Sequence, residues 1–159
     1  MPGNAMKPLP KPAPAPAARP VPSDAVAALL ILEDGSYVMQ LRDDIPGIFF
    51  PAHWGCFGGA IDKDESPELA LKRELREELE FEVGAARRFT RFDFDFAPHG
   101  YGSVTRIYFE VQVPRAAFGS FVLHEGVKYR AMTGEAVLAE RKVTPYDAFA
   151  VWMHMTRNR

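Results

Sequence analysis

Residues Gly58–Phe81 read GGAIDKDESPELALKRELREELEF, and this stretch decides the reading of the chain. Ser66 followed by Pro67 is a helix start, with a hydroxyl to cap the first turn and a proline where no N–H is needed. The spacing predicts a helix from Pro67 to about Glu80. At roughly 100° per residue, Leu71, Leu75 and Leu79 form one apolar stripe. Glu74, Glu77 and Glu78 form a second stripe beside it, within about 100° of arc. That arrangement opposes helix stability. Glu74 and Glu78, and likewise Lys72 and Arg76, are like-charge pairs one turn apart, each costing about 0.2–0.5 kcal/mol. Glu77 and Glu78 also lie toward the helix C-terminus, where negative charge opposes the macrodipole. A divalent cation among these acids reverses the sign of the effect, and carboxylates are the natural ligands of Mg²⁺ or Mn²⁺. A merely solvated face is the competing reading, supported by the attractive pairs Arg73–Glu77 and Arg76–Glu80. Gly58 and Gly59 tip the balance, because backbone without Cβ can approach a ligand closely.

Working outward, Asp24–Glu33 reads as a buried strand, Asp34-Gly35 as a hairpin turn, and Tyr37–Arg42 as its partner strand. A loop rich in aromatics, proline and glycine follows, from Asp43 to Gly59. Beyond the helix, Arg88–Phe96 alternates, with Phe92, Phe94 and Phe96 on one face, read as sheet core. Pro98-His99-Gly100 marks a turn, Ser103–Val113 a long strand and Val127–Met132 a shorter one. Thr133 caps a short helix over Gly134–Glu140, and Thr144-Pro145 opens a last helix. Hairpin-linked strands mixed with helices give an α/β (α+β) class with a mixed sheet.

The spacing Gly59, five residues, Glu65, seven residues, Arg73-Glu74-Leu75, one residue, Glu77-Glu78, one residue, Glu80-Phe81 resembles the Nudix box, G-x5-E-x7-R-E-U-x-E-E-x-G-U with U apolar. Eight of its nine specified positions match; the last glycine is Glu80. The entry Trp54-Gly55-x-Phe-Gly-Gly, the hairpin ending in Gln40-x-Arg42 and the last helix extend the resemblance from Ser23 to the C-terminus. It implies an α/β/α sandwich and hydrolysis of a diphosphate linkage with Mg²⁺ or Mn²⁺. Position by position, it implies Glu77, Glu78 and the Gly58 carbonyl as metal ligands. Glu74 would be a further ligand or the base, Arg73 the group that orients Glu74, and Glu65 a support of the cluster. Arg42 matches a phosphate-contacting arginine, Gly59 lies against the substrate, and Glu125 is the candidate late-loop acid. Phe49, Phe50, Trp54, His99 and Tyr101 are the aromatics to examine for contact with a base or its conjugate, Phe50 and Trp54 foremost. Glu80 in place of glycine predicts that the helix runs on toward Val83, with Gly84 as the stop. The substrate implied is a nucleoside diphosphate linked to another group, such as a nucleotide sugar. A nucleoside triphosphate is the alternative, and a catalytically silent binding module the reading from another class. Many members of the family are dimers, so a homodimer is open.

Composition bounds the rest. The chain has 159 residues, a formal net charge of −2 and one cysteine, Cys56. That charge excludes the strongly basic class of nucleic-acid binders, and one cysteine excludes an internal disulfide, which points to a reducing, cytoplasmic setting. The longest apolar run, Ala25–Leu32, is eight residues, too short for a membrane helix. Eight of the fourteen prolines fall in residues 1–22, which read as a Pro/Ala-rich disordered tail preceding a single domain over 23–159.

Overall fold

The computed structural model describes residues 19–157. The expected tail over residues 1–22 therefore lies mostly outside the described residues. Among the described residues six strands form one sheet: β1 (Ala25–Leu32), β2 (Tyr37–Leu41), β3 (Trp54–Gly55), β4 (Arg87–Asp95), β5 (Ser103–Val113) and β6 (Lys128–Met132). The helices are α1 (Pro67–Leu79), α2 (Arg115–Phe118), α3 (Gly134–Ala139) and α4 (Pro145–Thr156). The strand order is β3-β2-β1-β5-β4, with β6 on the other edge of β2. The β1–β5 pair is parallel and all others are antiparallel, so the sheet is mixed.

Both faces of β1 are covered, which explains its unbroken apolar run. Val26, Ala28 and Leu30 pack with Leu71, Leu75 and Leu79 of α1 on one face. Ala27, Leu29 and Ile31 pack with Val137 of α3 and Ala150 and Val151 of α4 on the other. Each buried leucine of α1 contributes about 1.5–3 kcal/mol, which fixes the helix rotation and hence the direction of its acidic flank. Ser66 Oγ accepts the Leu69 N–H at 3.3 Å, so the cap forms as its sequence suggests. The sheet between helices is the α/β/α sandwich.

The helix exit departs from expectation. Helix α1 stops at Leu79, and Glu80 itself adopts the left-handed conformation at φ 53° and ψ 31°. Tertiary contacts override the local cost of a side chain there, about 1 kcal/mol or more. The carbonyls of Glu78 and Leu79 accept the N–H groups of His124 and Val122, at 2.9 and 3.2 Å. The Phe81 N–H turns back to the Leu75 carbonyl, and Glu80 Oε1 meets His124 Nε2 at 2.7 Å. Gly84 is not the stop.

The segment after β3 positions the site. Val26 and Ala28 of β1 donate to the carbonyls of Gly59 and Phe57, at 2.9 and 2.8 Å. Phe57, Gly58 and Gly59 are thereby held along the edge of β1, in front of α1.

Candidate active site

Arg73 is the organising cation. Its Nε and Nη2 donate to the two oxygens of Glu65 at 3.0 and 2.8 Å, a bidentate pair. Nη1 reaches Glu74 Oε1 at 2.7 Å and Glu77 Oε2 at 3.3 Å, while Nη2 also meets the Ala60 carbonyl at 2.9 Å. One guanidinium thus ties the loop over residues 60–65 to α1 and fixes the Glu74 carboxylate. The arginine holds the Glu65 carboxyl below the usual carboxylate range.

Glu78 is 3 % exposed, and its Oε2 accepts the Gly58 N–H at 2.9 Å. Burial, with the charges of Glu125 and Glu74 adding to it, pushes its pKa up to about 8. Burial also raises the Glu74 carboxyl, against the lowering effect of Arg73. The two glycines allow this proximity. Gly58 sits at φ +126°, and a Cβ there would lie 2.4 Å from the Val26 carbonyl oxygen. A Cβ on Gly59 would lie 2.6 Å from the Glu74 carboxylate. The Gly58 carbonyl accepts no hydrogen bond among the described residues. Glu77 is 58 % exposed. Among the described residues no three acidic, histidine or cysteine side chains already stand at metal-ligand spacing. Even so, the donor chemistry fits a hard cation. The buried Glu78 without a counter-charge, Glu74 with one oxygen left free by Arg73, an exposed Glu77 able to swing, and a free carbonyl are all oxygen donors.

A cleft of about 250 Å³ opens from this point. Gly58, Gly59 and Glu125 lie at one part of its wall, with Arg42, Phe49, Phe94, Phe96, Arg106 and Tyr146 around the rest. Arg42 Nε donates to the Phe49 carbonyl at 3.1 Å, which aims the loop after β2 at the cleft. Asp147, 1 % exposed, accepts from Tyr108 Oη at 2.7 Å, Thr144 Oγ1 at 2.6 Å and the Cys56 N–H at 2.9 Å. It joins β5, α4 and the segment leading to Gly58.

The family model described as NUDIX domain matches residues 21–153. The chain belongs to the NUDIX family. Among curated relatives, nucleoside triphosphatase NudI of Escherichia coli O139:H28 is 44 % identical over 50 residues, covering 31 % of this chain and 35 % of that protein. The chain thus matches about a third of the length of the curated relatives it resembles. Among solved structures, a MutT protein from Methanosarcina mazei Go1 superposes with a TM-score of 0.72 at 20 % identity, over 89 % of this chain and 97 % of its own. The NUDIX domain of Shewanella oneidensis NrtR, solved with ADP ribose, superposes at 0.67 with 17 % identity, over 89 % and 90 %. At these identities the two structures speak for the fold.

Within this NUDIX domain the structure brings Arg73, Glu65, Glu74, Glu78, Gly58 and Gly59 together, with Glu77 at the rim. Arg42 and Glu125 reach the cleft. Trp54 and Phe50 do not line it. Trp54 is buried beneath Arg130, whose guanidinium lies 4.3 Å from the ring centroid. Pairing of its short strand with Leu41 of β2 turns it into the core instead. Phe50 packs edge-on against His53 and Tyr146 and borders a neighbouring surface groove. Phe94 and Phe96, expected as sheet core, face the cleft. Arg106 and Tyr146 went unpredicted. The signal available was a lone arginine at an inward position of a strand otherwise ending in Ile107–Val113.

Proposed function

We propose that this NUDIX domain hydrolyses a phosphorus anhydride of a nucleotide with a divalent cation, Mg²⁺ or Mn²⁺, and that its substrate is a nucleoside triphosphate cleaved to the monophosphate and pyrophosphate. The observation that carries this is Glu78: a buried carboxyl beside Glu74 and Glu125, at glycine backbone, with no cationic partner among the described residues. A stable fold has no use for that arrangement unless a cation joins it. The triphosphate is preferred over a nucleotide sugar because the relative sharing 44 % identity over 50 residues is a nucleoside triphosphatase.

Glu77, Glu78, Glu74 and the Gly58 carbonyl would hold the cation. When bound, it supplies charge neutralisation on the phosphate oxygens and Lewis acidity. Glu74 Oε1 is occupied by Arg73, which leaves Oε2 either to join the cation's ligands or to accept the proton of the attacking water. Arg73 keeps Glu74 from rotating away, and Glu65 keeps Arg73 in place. Arg42 meets the phosphate chain. Gly59 lets the phosphates approach the backbone, and Glu125 closes the cluster from the late loop.

The test is a panel of nucleoside triphosphates and nucleotide sugars with Mg²⁺ or Mn²⁺, with phosphorus products identified. Pyrophosphate plus a monophosphate supports the reading. Two phosphorylated halves from a conjugate, with triphosphates untouched, would shift it to the nucleotide-sugar class. Turnover of neither, with a folded protein, would favour a silent binding module.

A further inference from the structure

Arg106 projects from β5 into the cleft and is 16 % exposed. A guanidinium carries five N–H donors and no acceptor. Nε donates to Tyr108 Oη at 3.1 Å, and Nη2 makes one long contact with Asp147 Oδ1 at 3.4 Å. Nη1 has no hydrogen-bond partner among the described residues and is not sealed from solvent. Its donors therefore open on the cleft. The guanidinium carbon lies 4.8 Å from the Tyr146 ring centroid and 5.5 Å from that of Tyr108, so two aromatic rings border the fork. Phe94, Phe96 and Phe49 supply further apolar wall.

We propose that Arg106 is a specificity-determining residue that reads the nucleobase, through a fork directed at a base edge with two neighbouring acceptors. This rests on the reading of the cleft as a nucleotide site. The aromatic surround favours a flat base over a phosphate, whose charge would be stripped of water there, and Arg42 on the same cleft wall is the arginine proposed above for the phosphates. An arginine fork matches guanine O6 and N7, the commonest such contact, and also cytosine O2 and N3. Adenine sets a donor beside its N7 acceptor and leaves part of the fork unpaired. A site built to donate rejects the mismatched analogue because its own groups then lose partners. The chemistry selected is thus two adjacent acceptors, with guanine as the leading base.

The experiment compares GTP, CTP, ATP and 7-deaza-GTP, both as kcat/KM with Mg²⁺ and as equilibrium binding in EDTA, where turnover stops. Wild-type protein should favour GTP over ATP by about tenfold or more. If guanine is the base read, 7-deaza-GTP falls toward ATP; if cytosine is, CTP leads instead. In R106K and R106Q the preference should collapse toward unity, with the loss in KM, and R106K should not restore it because an ammonium cannot form the fork. Equal handling of ATP with GTP and CTP by wild-type protein, a comparison that needs no variant, overturns the proposal. So does a preference that survives in R106K. Selective binding without turnover would sink the hydrolase reading and leave Arg106 standing. Turnover without selectivity would do the reverse.

Discussion

Glu78→Gln should stabilise the metal-free protein while abolishing activity. The buried carboxyl has its pKa raised from an ordinary 4.5 to about 8. Because the folded value lies above the unfolded one, protonated Glu78 supports the fold fully below about pH 4.5. That support is lost as pH rises to about 8 and does not return beyond it. At about 1.4 kcal/mol per pH unit, ionised Glu78 costs the folded protein about 5 kcal/mol above pH 8. An amide of the same shape escapes that cost and can still present its oxygen to the Gly58 N–H. Thermal unfolding in EDTA at pH 8.5 should therefore give Glu78→Gln a midpoint roughly 10 °C above wild type. At pH 5 the two should agree to within about 1 kcal/mol. Hydrolysis with Mg²⁺ should fall by about 10³-fold or more in the same variant. A variant no more stable than wild type at pH 8.5 would refute the claim that this charge is a standing cost held for a ligand.

Wild-type affinity for Mn²⁺ should rise steeply between pH 6 and pH 8, as proton and metal compete for Glu78; calorimetry showing flat affinity across that range would contradict it. Gly59→Ala should lower kcat by about tenfold or more, because its Cβ would fall 2.6 Å from the Glu74 carboxylate; steady-state kinetics with circular dichroism as fold control checks this. Trp54→Phe should lower the melting temperature by several degrees and leave KM within about twofold, since the ring is core and not cleft; a KM effect without a stability effect would reverse that assignment. Asp147→Ala should destabilise by about 3–5 kcal/mol in denaturant unfolding, since it strips the partly exposed Arg106 and the buried Tyr108 of their shared acceptor.

Much of this was legible locally. Leu71, Leu75 and Leu79 repeat at helical spacing, Ser66-Pro67 declares the start, and the acids beside the stripe follow from rotation alone. What the sequence hid depends on neighbours. Phe94 faces the cleft because β4 pairs with β5 in the register Phe94↔Val104, and because Tyr146 of α4 stands 6.3 Å from its ring. No periodicity within β4 reveals that. Arg106 acquires its setting from Asp147, 41 residues further on. Trp54 looks like an exposed loop aromatic until its two-residue strand is seen bonded to β2 and, through its backbone, to Lys142 and Thr144. Glu80 misleads for a related reason. Its propensity argues for a longer helix, but the loop carrying Val122 and His124 takes up the last carbonyls and ends it.

Diffraction from crystals soaked in Mn²⁺, read by the anomalous signal, tests the central idea most directly. The account predicts a peak within bonding distance of Glu78, with Glu74 or Glu77 and the Gly58 carbonyl as its other protein ligands. No peak at that acidic flank, with Mn²⁺ bound elsewhere or nowhere, would contradict it.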